Sequence, residues 1–147
     1  MRAPVPGHSG ERGGSPSVEA AVLVVALGLL IAFAVAGGRL VAAEAATDHA
    51  ARSAARVASL HREPGTAAAA AHLAAESSLA EQGLRCADLR ITLDTAGFAA
   101  PLGTPASVTA TVRCDVDWSD LGLPGASTTR VIESTSASPI DRWRERA

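Results

Sequence analysis

The sequence predicts an α+β protein in which one long N-terminal transmembrane helix continues into a small domain with a second helix and a three-stranded antiparallel sheet. Three observations support this fold class: an uncharged apolar run near the N-terminus, an alanine-rich helical stretch behind it, and alternating polar and apolar residues in the second half of the chain. A chain of 147 residues accommodates one modest domain and an anchor.

The apolar run extends from Ala20 to Gly38, with Glu19 before it and Arg39 behind it. As a helix it would span roughly 28 Å, close to the thickness of a bilayer's hydrocarbon core. We predict a transmembrane helix over residues 15–38. Two alternatives are a buried core helix and a secretory signal cut after the small residues at its end.

Helical character continues beyond the apolar run, without proline or internal glycine as far as His61. Charged residues recur there every fourth position and so share one helix face: Glu44, Asp48, Arg52 and Arg56. The sequence therefore predicts one helix from Pro16 to about His61, with residues 39–63 continuing it outside the membrane. The pair Pro64-Gly65 is expected to end it.

Residues 64–138 are predicted to form the small α+β domain. Its helix spans 66–82, stops at Gly83 and has three apolar anchors, Leu73, Leu79 and Leu84. Alternation predicts strands at 88–94, 107–117 and 128–134, which pair as an antiparallel sheet against the helices. The flanking segments, a leader at 1–14 and a polar tail at 139–147, are predicted to be disordered or flexible.

Cys86 and Cys114 are the only two cysteines. They are too far apart for a CxxC motif, and two ligands do not complete a zinc site. In an extracytoplasmic domain they would form a disulfide, and closing this loop of about 29 residues would stabilise the fold by roughly 3.5 kcal/mol. The alternative is a pair of buried thiols in a cytoplasmic domain.

Charge and motif content argue against most other functions. The net charge is -2 and no basic patch is present, so we expect no nucleic-acid partner. The sequence contains no nucleophile–base pair and no phosphate-binding loop, so we expect no catalytic residues, no small-molecule substrate and no cofactor. No metal site is expected either, because the histidines lack ligand spacing and the acidic cluster at 115–120 lacks the glycine and closing glutamate of a calcium loop.

The motif G-S-P-S-V-E, from Gly14 to Glu19, leads directly into the apolar helix. A cut after Gly14 would make Ser15 the first residue and Glu19 the fifth. The motif resembles the class III signal of type IV pilins and pseudopilins. The whole chain resembles the TadE-like proteins of tight-adherence (Flp type IV) pilus systems, and the stretches at 38–43 (GRLVAA) and 138–144 (SPIDRWR) add to the likeness.

The resemblance implies a pseudopilin, a membrane-anchored structural or assembly component of a pilus or secretion system, with a pilin-like domain. Its partners would be membrane lipid, other pilin-like subunits, inner-membrane pilus assembly proteins and a prepilin peptidase that cuts between Gly14 and Ser15. Glu19 of one subunit would pair with the new amine at Ser15 of its neighbour. The cell-membrane protein would be single-pass, with a cytoplasmic N-terminus and an extracytoplasmic C-terminal domain.

Charge alone does not set this orientation, because arginines flank the apolar run on both sides. A simpler interpretation of Glu19 is that its negative charge interacts favourably with the N-terminal end of the helix. This interaction would stabilise the helix by less than about 1 kcal/mol. The alternative function is a single-pass membrane scaffold, or a secreted domain, unrelated to pili.

Overall fold

The computed structural model describes residues 16–117 and 129–143. The elements in chain order are α1 (Pro16–Ser59), α2 (Pro64–Glu81), β1 (Asp88–Asp94), a 3-10 turn (Ala96–Ala99), β2 (Ala106–Asp117) and β3 (Thr129–Ile140). The predicted α+β layout of a long apolar helix, a second helix and a three-stranded antiparallel sheet is confirmed. The chain divides into two compact units, Met1–Gly37 and Gly38–Ala147.

The first unit contains the apolar part of α1. Its large side chains are exposed, with Val22 at 63% and Phe33 at 68% of their full accessibility. The most apolar 18-residue window of α1 has a mean hydropathy of 2.7, and none of it is buried. Among the described residues, α1 is thus one helix long and apolar enough to cross a membrane.

The second unit begins with the remainder of α1, which ends at Ser59. The Ser59 hydroxyl donates a hydrogen bond to the carbonyl of Arg56 (2.8 Å), within the last turn of the helix. Pro64 then opens α2, since its missing N–H has no partner to lose at a helix start. The proline that was expected to end one helix therefore begins the next.

Nine alanines form most of the helical side of the core in this unit. All of them are buried: Ala46, Ala50, Ala51, Ala54, Ala55 and Ala58 of α1, with Ala67, Ala71 and Ala75 of α2. Small side chains allow helices to approach closely, because the distance between helix axes depends on the side chains between them. The core therefore includes α1 from Ala46 onward, whereas the predicted domain began at residue 64.

Leucines contribute less to this core than expected. Leu79 is buried and Leu84 packs against the core, but Leu73, a predicted anchor of the second helix, is 68% exposed. The inner face of α2 is formed instead by the alanine at every fourth position. Alanine is only weakly hydrophobic, so the sequence pattern pointed to the leucines as the buried residues of this helix.

The sheet has the order β1-β2-β3 and is antiparallel throughout. β1 has its predicted bounds, and β2 starts one residue early, at Ala106. β3 continues to Ile140, past the predicted end at Ser134, so Pro139 and Ile140 belong to the sheet and not to the predicted tail. Serines occupy the helix-facing positions of this extension, which conceals the alternation that marks a strand.

Candidate functional site

The predicted processing site and its acid lie at the start of α1. Gly14 and Ser15 are outside the described residues. Glu19 is in the first turn of α1 and is exposed. A carboxylate there is close to the unpaired backbone N–H groups of the helix start, which favour negative charge. Its exposure leaves it accessible to a second chain.

A stripe of small residues follows along the apolar part of α1. Gly28, Ala32 and Ala36 recur at a spacing of four and therefore lie on one face of the helix. A Cβ atom built on Gly28 meets nothing within 4 Å. Stripes of this kind allow transmembrane helices to pack closely. The same spacing is visible in the sequence as the pattern G-x-x-x-A-x-x-x-A.

The two cysteines form the predicted disulfide, with their Cα atoms 5.2 Å apart. Cys114 is buried within β2, and Cys86 follows the turn at the end of α2. Next to the bond, the backbone N–H of Ala87 donates to the carbonyl of Asp115 (2.7 Å). The disulfide therefore links the end of the helical layer to the central strand of the sheet.

Polar side chains join the layers of the second unit. The Ser134 hydroxyl donates to Asp48 Oδ1 (3.2 Å), and the Ser138 hydroxyl donates to Ser59 Oγ (3.0 Å). These bonds connect β3 to α1 at two levels. Between the helices, His49 Nδ1 and Ser78 Oγ share a hydrogen bond of 2.8 Å. Ser134 and Ser138 of β3 thus have hydrogen-bond partners on α1.

The sheet face turned away from the helices, the outer face, is polar and arranged in rows across the three strands. One row contains Arg90, Arg113 and Glu133 in direct register. Arg113 Nη1 is 3.9 Å from Glu133 Oε2, while Arg90 Nε is 2.8 Å from Asp88 Oδ2. The register of the strands creates this row, and the alternation pattern alone could not reveal it.

The next row consists of three threonines, Thr92, Thr111 and Thr135. The hydroxyls of Thr111 and Thr135 are 3.0 Å apart and hydrogen-bonded. Within the part of the chain that the structure describes, no three histidine, cysteine or acidic side chains are grouped as metal ligands. The outer face is therefore a polar surface exposed to solvent.

The features available for function are an exposed apolar helix with an acid in its first turn, and a disulfide-linked unit with a polar outer face. The first is suited to lipid and to other helices, because a large exposed apolar surface marks a membrane or protein contact. No protein-family model, curated protein or solved structure matches the chain.

Proposed function

We propose that this chain is a TadE-like pseudopilin, a membrane-anchored structural or assembly component of a tight-adherence type IV pilus or secretion system. Its role is non-enzymatic and consists of helix association in the membrane and surface contacts outside it. One observation carries the proposal: the G-S-P-S-V-E motif runs directly into an exposed apolar helix and supplies the acid in its first turn.

Exposure of the apolar segment supports a membrane anchor over a core helix. Each Å² of apolar surface left in water costs about 25 cal/mol, and soluble proteins rarely expose apolar patches larger than a few hundred Å². The most apolar window of α1 has no buried share. Lipid, or the helices of other subunits, would cover this surface.

Continuity of the helix supports a retained anchor over a cleaved secretory signal. α1 runs without a break through the small residues at 34–38, where such a signal would be cut. The part beyond them supplies six buried alanines to the core of the second unit. In this proposal the cut falls after Gly14, and the apolar segment stays attached to the domain.

Glu19 is assigned an electrostatic role in assembly. A carboxylate at the edge of the hydrocarbon layer is costly unless it is paired. Cleavage after Gly14 creates an amine at Ser15, and the amine of a neighbouring subunit would neutralise the exposed carboxylate. The competing role, a favourable charge at a helix start, needs no neighbour.

The disulfide supports an extracytoplasmic second unit, because such bonds persist in oxidising compartments. The N-terminus would then be cytoplasmic, on the side where a prepilin peptidase cuts. The remaining partners in this proposal are membrane lipid, other pilin-like subunits and inner-membrane pilus assembly proteins.

Intact mass and N-terminal sequencing of the mature protein test the processing step. We expect Ser15 as the first residue, and we expect a Gly14→Leu variant to keep the full leader. A mature chain that starts near Arg39 would indicate a secreted domain. One that retains Met1 would indicate a simple anchor, and either result would contradict the proposal.

Substitution of the acid tests the pairing role. We expect Glu19→Ala to lower incorporation into the pilus at least about tenfold. The variant would leave the amine of the neighbouring subunit unpaired, and an unpaired charge in an apolar environment costs on the order of 3 kcal/mol. The matched control is Glu44→Ala, which removes an exposed acid of the same helix beyond the apolar segment. Equal incorporation of both variants would leave Glu19 with no role in pairing.

A further inference from the structure

We propose that copies of this chain join head-to-tail through their sheets, with β3 of one copy pairing in parallel with β1 of the next. The pairing extends the three-stranded sheet from copy to copy. It would give the second unit a specific role in assembly, in addition to the association of apolar helices. Its direction rests on the proposed function, because it assumes that every copy is anchored in one membrane.

Both edges of the sheet are open in the described part of the chain. The order β1-β2-β3 places β1 and β3 at the edges, and no further strand among residues 16–117 and 129–143 pairs with either of them. Edge strands present unpaired N–H and C=O groups and act as templates for another strand. β3 is 12 residues long and β1 is 7, so one edge can accept the whole of the other.

When two copies join with their strands in level register, a pair of opposite charges on the outer face is brought together. Inside one copy Arg90 stands next to Arg113, a like charge, and Glu133 is at the far end of the row. A neighbouring copy in level register would place its Arg90 next to this Glu133. The same register would place Thr135 next to Thr92 of the neighbour, and so repeat the threonine pair already present between β2 and β3.

A two-fold arrangement, in which β3 of one copy pairs with β3 of the other, brings no opposite charges together on the outer face. Glu133 is the one charge on the outer face of β3, where the other positions are Thr129, Val131, Thr135, Ala137 and Pro139. No register of such a pair brings an arginine of the outer face next to Glu133. The outer face of β1 carries Asp88 and Asp94 in addition to Arg90 and a threonine. In the level register these two acids would face Val131 and Ala137 of the neighbour, which are uncharged, so the only directly facing charges are those of Arg90 and Glu133.

The direction of α1 favours a parallel pair. Along α1 the residues from Asp48 to Ser59 contact β3 from Ser134 to Ser138, so this part of the helix and β3 run the same way. Arg39, the first charged residue after the apolar segment, lines a recess with Asp117 at the end of β2. A parallel assembly places Arg39 of every copy on one side of the joined sheet, as anchoring in one membrane requires. An antiparallel assembly would alternate the sides.

Crosslinking of the full-length protein in membranes tests the pairing. Two differently tagged chains are co-expressed, one with Thr92→Cys and one with Thr135→Cys, and treated with a short bismaleimide. Neighbouring strands of a sheet lie about 4.8 Å apart, within reach of a short bismaleimide, so we expect a mixed-tag dimer. Cys86 and Cys114 are joined in the disulfide and do not react. A pair of Thr66→Cys and Thr135→Cys chains, with Thr66 exposed on α2, serves as the control and should not crosslink.

Each outcome of this experiment decides for or against the proposal. A mixed-tag dimer from the 92 and 135 pair, without one from two chains that both carry Thr135→Cys, supports the head-to-tail pairing. A dimer from two Thr135→Cys chains would overturn it in favour of a two-fold arrangement. Absence of the mixed-tag dimer in membranes that contain both chains would also overturn it.

Charge exchange at the same contact gives an independent measurement. We expect Arg90→Glu alone, or Glu133→Arg alone, to lower the yield of the 92–135 crosslink about threefold to fivefold. Co-expression of the Arg90→Glu chain with the Glu133→Arg chain should restore it, because the exchanged charges again attract. Thermal unfolding of each variant checks that the fold is kept. Loss without restoration in folded chains would contradict the charge match.

The N-terminus of the mature protein separates this inference from the proposed function. A chain that starts at Ser15 and gives no mixed-tag dimer leaves the proposed function standing and overturns the sheet pairing. A chain that keeps Met1 and still gives the dimer supports the pairing and counts against processing as a pseudopilin.

Discussion

Gly97 shows how closely individual residues are packed in the second unit. It lies in the 3-10 turn between β1 and β2, and a Cβ atom built on it would collide with the backbone carbonyl of Ser107. The same atom would be 3.2 Å from Cδ1 of Ile140. The turn therefore needs glycine for space, because a backbone atom cannot move aside as a flexible side chain can.

Replacing this glycine should weaken the fold. We expect Gly97→Ala to lower the free energy of unfolding by about 1–3 kcal/mol, the usual cost of inserting a methyl group into a filled site. The measurement is denaturant unfolding of the detergent-solubilised protein. Gly65→Ala is the control, since a Cβ atom at Gly65 meets nothing within 4 Å and the position is helical. Similar stability of both variants would contradict the collision.

At the scale of elements, the sequence predicted the helices and strands that have a clear residue periodicity or lack helix-breaking residues. The alternation from Asp88 to Asp94 identified β1, and the absence of proline and glycine after Arg39 predicted the long helix. The part of β3 beyond Ser134 was not predicted because Ser136 and Ser138 occupy its helix-facing positions, and Ser138 is hydrogen-bonded to Ser59. Hydrogen bonds replace apolar contacts there, and such partners are distant in sequence.

The small-residue stripe of α1 carries a prediction about helix association. We expect Gly28→Leu to reduce assembly in the membrane about tenfold or more, because a bulky side chain holds neighbouring helices apart. The fold of the single chain should be unaffected, since the space around Gly28 is empty. The measurement is crosslinking or energy transfer between labelled copies.

Ala34→Leu is the matched control for this prediction. Ala34 lies on the opposite face of the same apolar helix, so it adds the same leucine away from the stripe. Equal assembly of the two variants would show that helices do not associate through Gly28, Ala32 and Ala36.

The disulfide should be a major source of stability in the second unit. Removing it with Cys86→Ala and Cys114→Ala should lower the free energy of unfolding by about 3–4 kcal/mol, mainly because the unfolded chain regains its freedom. Reduction of the wild-type protein should have a similar effect, and a reductant should not affect the double variant. A loss below about 1 kcal/mol in denaturant unfolding would be inconsistent with this role.

At the scale of the whole molecule, the sequence correctly indicated a helix of membrane length near the N-terminus, followed by a second helix and a three-stranded antiparallel sheet. The sequence could not indicate the rows on the outer face, because Arg90, Arg113 and Glu133 become neighbours only through the strand register. The sequence could not show which side chains of α2 are buried either. Whether Leu73 or Ala71 is buried depends on where α1 lies. The predicted role of Glu19 depends on the amine of a second chain.

The orientation of the molecule is testable with a single introduced thiol. Leu73 is 68% exposed on α2, so Leu73→Cys should accept a reagent without disturbing the core. If the second unit is extracytoplasmic as proposed, a membrane-impermeant maleimide should label it in spheroplasts, before permeabilisation. Labelling that appears only after permeabilisation would place the second unit in the cytoplasm.

The alanine-rich core of the second unit restricts how this protein can change over time. Ala50, Ala54 and Ala71 have no exposed surface, and alanine has the smallest side chain that still has a Cβ atom. Nearly every replacement there enlarges the residue, and the one that shrinks it, glycine, weakens a helix by about 1 kcal/mol. Sequence drift at these positions is thus blocked in both directions. The freedom to diversify lies on the strands and the exposed helix faces, where a new partner can be accommodated without moving the helices apart.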